Sequence, residues 1–110
     1  MKTIVVGIDG SAGSVRALEF ALAEARLRGA SVKAVEVWHV PAAVYSGGGL
    51  APVVREGQPA DVLCAEAGGA KLLVVGSRGL GGFRGLLLGS VGQQCAHHAR
   101  CPVVIVPKAP

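Results

Sequence analysis

The chain has 110 residues, which is the length of one domain. Hydrophobic residues make up 51% and charged residues 16%, a balance that excludes a disordered chain. The net charge of +4 is scattered from Lys2 and Arg16 to Arg100 and Lys108, and aromatics are 4%, so there is neither a basic track for a nucleic-acid backbone nor a platform for stacking bases. No apolar run reaches membrane-spanning length. The three cysteines, Cys64, Cys95 and Cys101, form no CxxC pair. With no export signal in view, they are expected to be reduced thiols of a cytoplasmic protein.

Ile4-Val5-Val6-Gly7-Ile8 is β-branched and continuously apolar, which predicts a strand buried on both faces, as in a parallel sheet. Asp9-Gly10-Ser11 breaks it. From Ser11 or Ser14 onward, Val15, Leu18, Leu22 and Ala25 recur at helical spacing. Arg26 and Arg28 suit the negative end of the helix dipole, and Gly29 is the expected stop. Residues 31–40 predict a second strand, ended by Pro41. Residues 41–52 hold a glycine triplet and two prolines with no helical period. Val53-Val54-Arg55 is a short third strand. A helix with Pro59 near its first position runs through Val62, Leu63 and Ala67 to Gly68-Gly69. Residues 71–76 are a fourth buried strand, 76–89 a glycine-rich segment, 90–99 a helix and 102–106 a fifth strand.

This alternation predicts an α/β fold: one domain over residues 1–110, a doubly wound five-stranded parallel sheet in the order 3-2-1-4-5. One link is abnormal. Parallel strands need a crossover of a dozen or more residues, usually helical. Here the helix between strands two and three is missing or replaced by a loop.

In such a sheet a ligand sits beyond the carboxyl ends of the strands, where the winding reverses. The turns after strands one and four, Gly7-Ile8-Asp9-Gly10 and Gly76-Ser77-Arg78-Gly79, would line one crevice there. Gly76 and Gly79 let the backbone approach a ligand closely. Nine residues later come Gly89 and Ser90, where Ser90 can cap the last helix and its free N–H groups can take an anion. Ser77 and Ser90 offer hydroxyls, and Arg78 and Arg84 offer counter-charge. The alternative for the glycines is a plain turn, for Asp9 a turn or cap, and for the arginines solvated surface. Two better-known phosphate motifs fail: the chain has no Gly-Lys pair for a P-loop, and Gly7, Gly10 and Gly13 have the wrong spacing for a dinucleotide fingerprint. Cys95, His97, His98 and Cys101 crowd near the last helix end. A shared metal competes there with the simpler reading of small buried cysteines and histidines at a helix C-terminus.

The segments IVVGIDGS, VEVWHVP, EGQPADVL and the block from Val74 to Val106, with its G-2x-G-9x-G-S spacing, resemble the nucleotide-binding branch of the universal stress protein family over nearly the whole chain. The resemblance implies an ATP-binding stress-response regulator. Gly76, Gly79, Gly89, Ser90 and Val91 would take phosphates and ribose. Asp9 would face them through a divalent cation such as Mg2+ or Mn2+, Val37 would meet the adenine through its backbone, and Gly10 and Ser11 would line the cleft. It also implies a homodimer through the C-terminal strand. No general base or arginine finger is placed for attack on the γ-phosphate, so slow hydrolysis is the most that is expected. The rival reading is a dimeric protein-interaction module that binds no nucleotide.

Overall fold

A computed structural model of the chain describes residues 2–36, 53–54, 59–77 and 90–107. The elements are β1 (Thr3–Ile8), α1 (Ala12–Arg28), β2 (Ser31–Glu36), β3 (Val53–Val54), α2 (Pro59–Glu66), β4 (Leu72–Gly76), α3 (Ser90–His98) and β5 (Val103–Val106). The expected link between strands two and three, and the end of strand two, lie outside the described residues.

The architecture is α/β with a parallel sheet. Four longer strands make its body in the order β2-β1-β4-β5, and the two-residue β3 lies beside β2. β1 is central. It runs parallel to β2 from Thr3 opposite Ser31 to Ile8 opposite Glu36, and parallel to β4 from Ile4 opposite Leu72 to Val6 opposite Val74. β4 and β5 pair from Leu73 opposite Val103 to Gly76 opposite Val106. Parallel strands bury both faces, which is why β1 and β4 read as unbroken apolar runs.

The two faces carry separate cores. Ile4, Val6, Ile8 and Val74 pack under α1, whereas Val5, Val35, Leu73 and Val75 pack under α2 and α3. Alternation along β1 and β4 sends successive side chains to opposite faces. Ile4, Val6 and Leu73 are wholly buried, each contributing about 1.5–3 kcal/mol by the area it removes from water. Lys33 of β2 pairs with Glu66 in the last turn of α2, fixing that helix to its face.

The helix α1 corrects one expectation. Val15 and Leu22 do not face the core; they are 48% and 41% exposed. The inward face is Ser14, Ala17, Ala21 and Ala25. Side chains this small let the helix axis come close to the sheet, and close packing rewards the nearer approach. Arg16, which donates to the Pro107 carbonyl at 3.2 Å, holds one flank of α1 toward β5. At 100° per residue Val15 and Leu22 fall on the other flank, toward β2. Gly29 closes the helix in the left-handed conformation, donating its N–H to the Ala25 carbonyl.

Candidate functional site

β1 and β4 are adjacent and parallel, so Ile8 and Gly76 end at the same edge of the sheet. Gly76 lies against the first turn of α1. A Cβ built on Gly76 would lie 2.9 Å from the Gly13 carbonyl oxygen and 3.4 Å from its Cα. Only glycine permits this contact. It brings the end of β4 and the start of α1 into one place.

The turn after β1 is built by short polar links. The Asp9 carboxylate accepts the Ser11 N–H through Oδ1 at 2.9 Å. Gly10 sits at φ 84°, the left-handed region that suits glycine. Ser11 caps α1: its Oγ accepts the Ser14 N–H at 3.1 Å, while the Ser14 hydroxyl donates to the Ser11 carbonyl at 2.9 Å. A serine hydroxyl that accepts still has a proton to give. The first turn of α1 contains no acidic residue. Helix geometry leaves the N–H groups of Ala12 and Gly13 without an intrahelical acceptor, and the dipole makes this end positive. The end of α1 nearest Gly76 thus favours an anion.

Of the residues named from sequence, the structure brings Asp9, Gly10 and Ser11 together with Gly76. Ser77 follows directly, but it is buried and its N–H donates to the Val106 carbonyl at 2.9 Å. The expected amide of Ser77 is therefore engaged within the sheet and does not offer itself to a ligand. Ser90 is the first helical residue of α3, one position inside the cap expected of it. Val91 is half-buried, its side chain packed against the core beneath α2 and α3, which leaves its backbone as the group it can offer. Val37, Arg78, Gly79 and Gly89 lie outside the described residues.

Two features escaped sequence reasoning. Ala12 and Gly13 supply the N–H groups of the α1 terminus, legible only once Ser11 is known to be the cap. Glu36, the last residue of β2, is 4% exposed and sits opposite Ile8. In V-E-V-W it looks like the outward member of an alternating strand. Its burial shows only once β2 is placed beside β1. Both Asp9 and Glu36 take part in further polar or electrostatic interactions. Among the described residues no group of three or more His, Cys, Asp or Glu is arranged to hold a metal ion, and no helix is long and apolar enough to cross a membrane.

A parallel sheet covered on both faces, with β4 ending beside the first turn of α1, defines a doubly wound α/β domain. The chain belongs to the universal stress protein family, whose family model matches residues 1–52 and 47–107. It is 33% identical to a universal stress protein of Mycobacterium tuberculosis over 130 aligned positions, covering 93% of this chain and 44% of that protein. The chain thus spans less than half the length of this relative. A universal stress protein of Thermus aquaticus is also 33% identical, over 135 positions that cover 96% of this chain and 98% of the relative. Among solved structures, a universal stress protein in complex with cAMP superimposes with a TM-score of 0.71 at 32% identity, covering 96% of this chain and 95% of that one. Both aligned spans exceed the 110 residues of this chain, and the two family matches meet at residues 47–52.

Proposed function

We propose that the chain binds an adenine nucleotide, ATP foremost, in the crevice between the turns after β1 and β4, and acts as a nucleotide-dependent stress-response regulator. The observation that carries this reading is the close approach of Gly76 to Gly13, which sets the end of β4 beside the positive end of α1. The cAMP-bound relative supports an adenine nucleotide as the ligand class. In this reading the N–H groups of Ala12 and Gly13 and the hydroxyl of Ser11 hold phosphate oxygens. Gly79, Gly89, Ser90 and the backbone of Val91 complete the cradle, Arg78 adds charge, and the Val37 backbone meets the base. Glu36 takes a ribose hydroxyl. Asp9 would repel a phosphate alone, so a divalent cation, Mg2+ or Mn2+, lies between them. The residues form one domain, and hydrolysis is at most slow.

The short crossover is part of this proposal. The relatives carry residues that this chain lacks, and the discontinuity in the family match falls in the 41–52 stretch. The missing length is the crossover helix, which would have lain beside the Val15–Leu22 flank of α1. The strand β5 supports a homodimer, since it ends the described sheet and an edge of valine and isoleucine invites a second strand.

A second reading has its own support. The Ser77 N–H and the Asp9 carboxylate already have partners within the chain, as they would in a dimeric interaction module that binds no nucleotide. Calorimetry of the intact protein with ATP, ADP and cAMP, each with and without Mg2+, separates the two. Saturable heat with at least one adenine nucleotide is expected. No heat and no thermal shift at millimolar ligand would leave the interaction module.

A further inference from the structure

The outer surface of α1 carries a row of side chains that the core does not use. Val15, Glu19, Leu22 and Arg26 are all exposed, and they are spaced four, three and four residues apart. At 100° per residue they lie within about 60° of one another, so they form one continuous row along the helix. Two of the four are large and apolar, Val15 at 48% and Leu22 at 41% exposure. Ala23, also exposed, adds only a methyl group beside Leu22 and leaves room for a neighbouring helix to come close. The row borders the flank of α1 where Leu18 is only half-buried, on the side of β2 and its half-buried Val32.

Glu19 and Arg26 stand on either side of Leu22, three positions before it and four after it. Among the described residues neither is in an ion pair; the pairs formed there are Arg28 with Glu24 and Lys33 with Glu66. Charges of opposite sign thus flank an apolar centre. Leu22 lies within about 1 Å, along the helix, of the midpoint between them. A row of this form is complementary to its own reversed copy. Turned end for end about an axis at Leu22, Glu19 falls opposite Arg26, Arg26 falls opposite Glu19, and the two Leu22 side chains meet. That is the requirement of a twofold interface, in which the same patch serves on both sides. A different protein would have to match the pattern separately; a second copy matches it by identity.

We propose that this face docks a second copy of the chain, α1 antiparallel to α1, with Leu22 at the twofold axis and Glu19 paired with Arg26 on each side of it. Burial of Leu22 supplies the attraction. The charges set the direction, because a parallel pair would place Glu19 beside Glu19 and Arg26 beside Arg26. The contact is separate from any pairing through β5, which lies at the opposite end of the sheet from β2. It does not rest on nucleotide binding.

Sedimentation equilibrium of the intact protein, over a wide range of concentration, tests the contact in wild type, Glu19→Arg, Arg26→Glu, the double reversal Glu19→Arg/Arg26→Glu, and Leu22→Gln. Wild type is expected to self-associate. By symmetry each single reversal creates two like-charge contacts and should weaken association about tenfold. The double reversal should restore it. Leu22→Gln, at a position exposed in the single chain, should weaken association while the dilute chain stays folded by circular dichroism. A chain that is monomeric throughout, or an assembly that every variant leaves unchanged, would overturn the proposal and leave the face to a different protein. A double reversal no stronger than the single ones would overturn the antiparallel pairing.

Discussion

The main chain of Gly76 lies so near that of Gly13 that the smallest side chain at residue 76 would fall 2.9 Å from the Gly13 carbonyl oxygen. The contact is backbone against backbone, so no rotamer can relieve it. It locks the end of β4 onto the start of α1, two points far apart in sequence. Gly76→Ala is therefore expected to lower stability by about 1–3 kcal/mol, the usual range for overpacking, and to weaken nucleotide binding further. Urea unfolding and calorimetry check the two effects. A variant with unchanged stability and unchanged affinity would show that the contact does not shape the site.

Ser11 holds the other side of the crevice as the cap of α1. Ser11→Ala removes the acceptor of the Ser14 N–H and should cost about 0.5–2 kcal/mol. Ser11→Asp keeps the cap but sets a second negative charge beside Asp9. It should retain stability by thermal unfolding while losing affinity for ATP. Equal affinity in Ser11→Asp and wild type would remove the α1 terminus from the phosphate site.

The face of α1 can be read by a pair of substitutions. Ala21→Leu forces extra volume between the helix and the sheet and should destabilise by about 1–3 kcal/mol. Leu22→Gln, on the exposed flank, should stay within about 0.5 kcal/mol of wild type. Denaturant midpoints measured on both would show the reverse ranking if Leu22 were the buried residue.

Stability should fall at alkaline pH in a way traceable to Cys95. Its thiol is raised from the ordinary 9.0 to about 12, chiefly by burial. Between those values the unfolded chain has lost the proton that the folded chain keeps. The stabilisation is therefore complete below 9.0 and is lost as pH rises toward 12. The limiting slope is about 1.4 kcal/mol per pH unit for one proton. Cys101 is raised in the same direction and adds to it. Unfolding free energies of wild type and Cys95→Val should lie on converging lines above pH 9.0. Parallel lines would mean that Cys95 does not titrate in this range.

Much of this was visible in the sequence, for physical reasons. Ile4 to Ile8 and Leu72 to Val75 are apolar without interruption because both sheet faces are covered; a strand with one wet face would alternate polar and apolar residues instead. The turn residues Asp9, Gly10 and Gly76 were legible because strand ends in a parallel sheet fall at one edge. The buried face of α1 was not, because a periodic pattern gives weight to valine and leucine, whereas close packing here selects serine and alanine. The N–H of Ser77 looked available until β5 was placed beside it. Glu36 was hidden by ordinary strand alternation.

The most direct test is residue-resolved. A 1H–15N correlation spectrum of the intact protein is titrated with Mg·ATP. The account predicts that the amides of Gly10 to Gly13 and of Gly76 move together along one saturating curve, while those around Cys64 stay in place. Amides of the β1 turn and the β4 end that do not move, or that saturate at different ligand concentrations, would contradict a single crevice built from both.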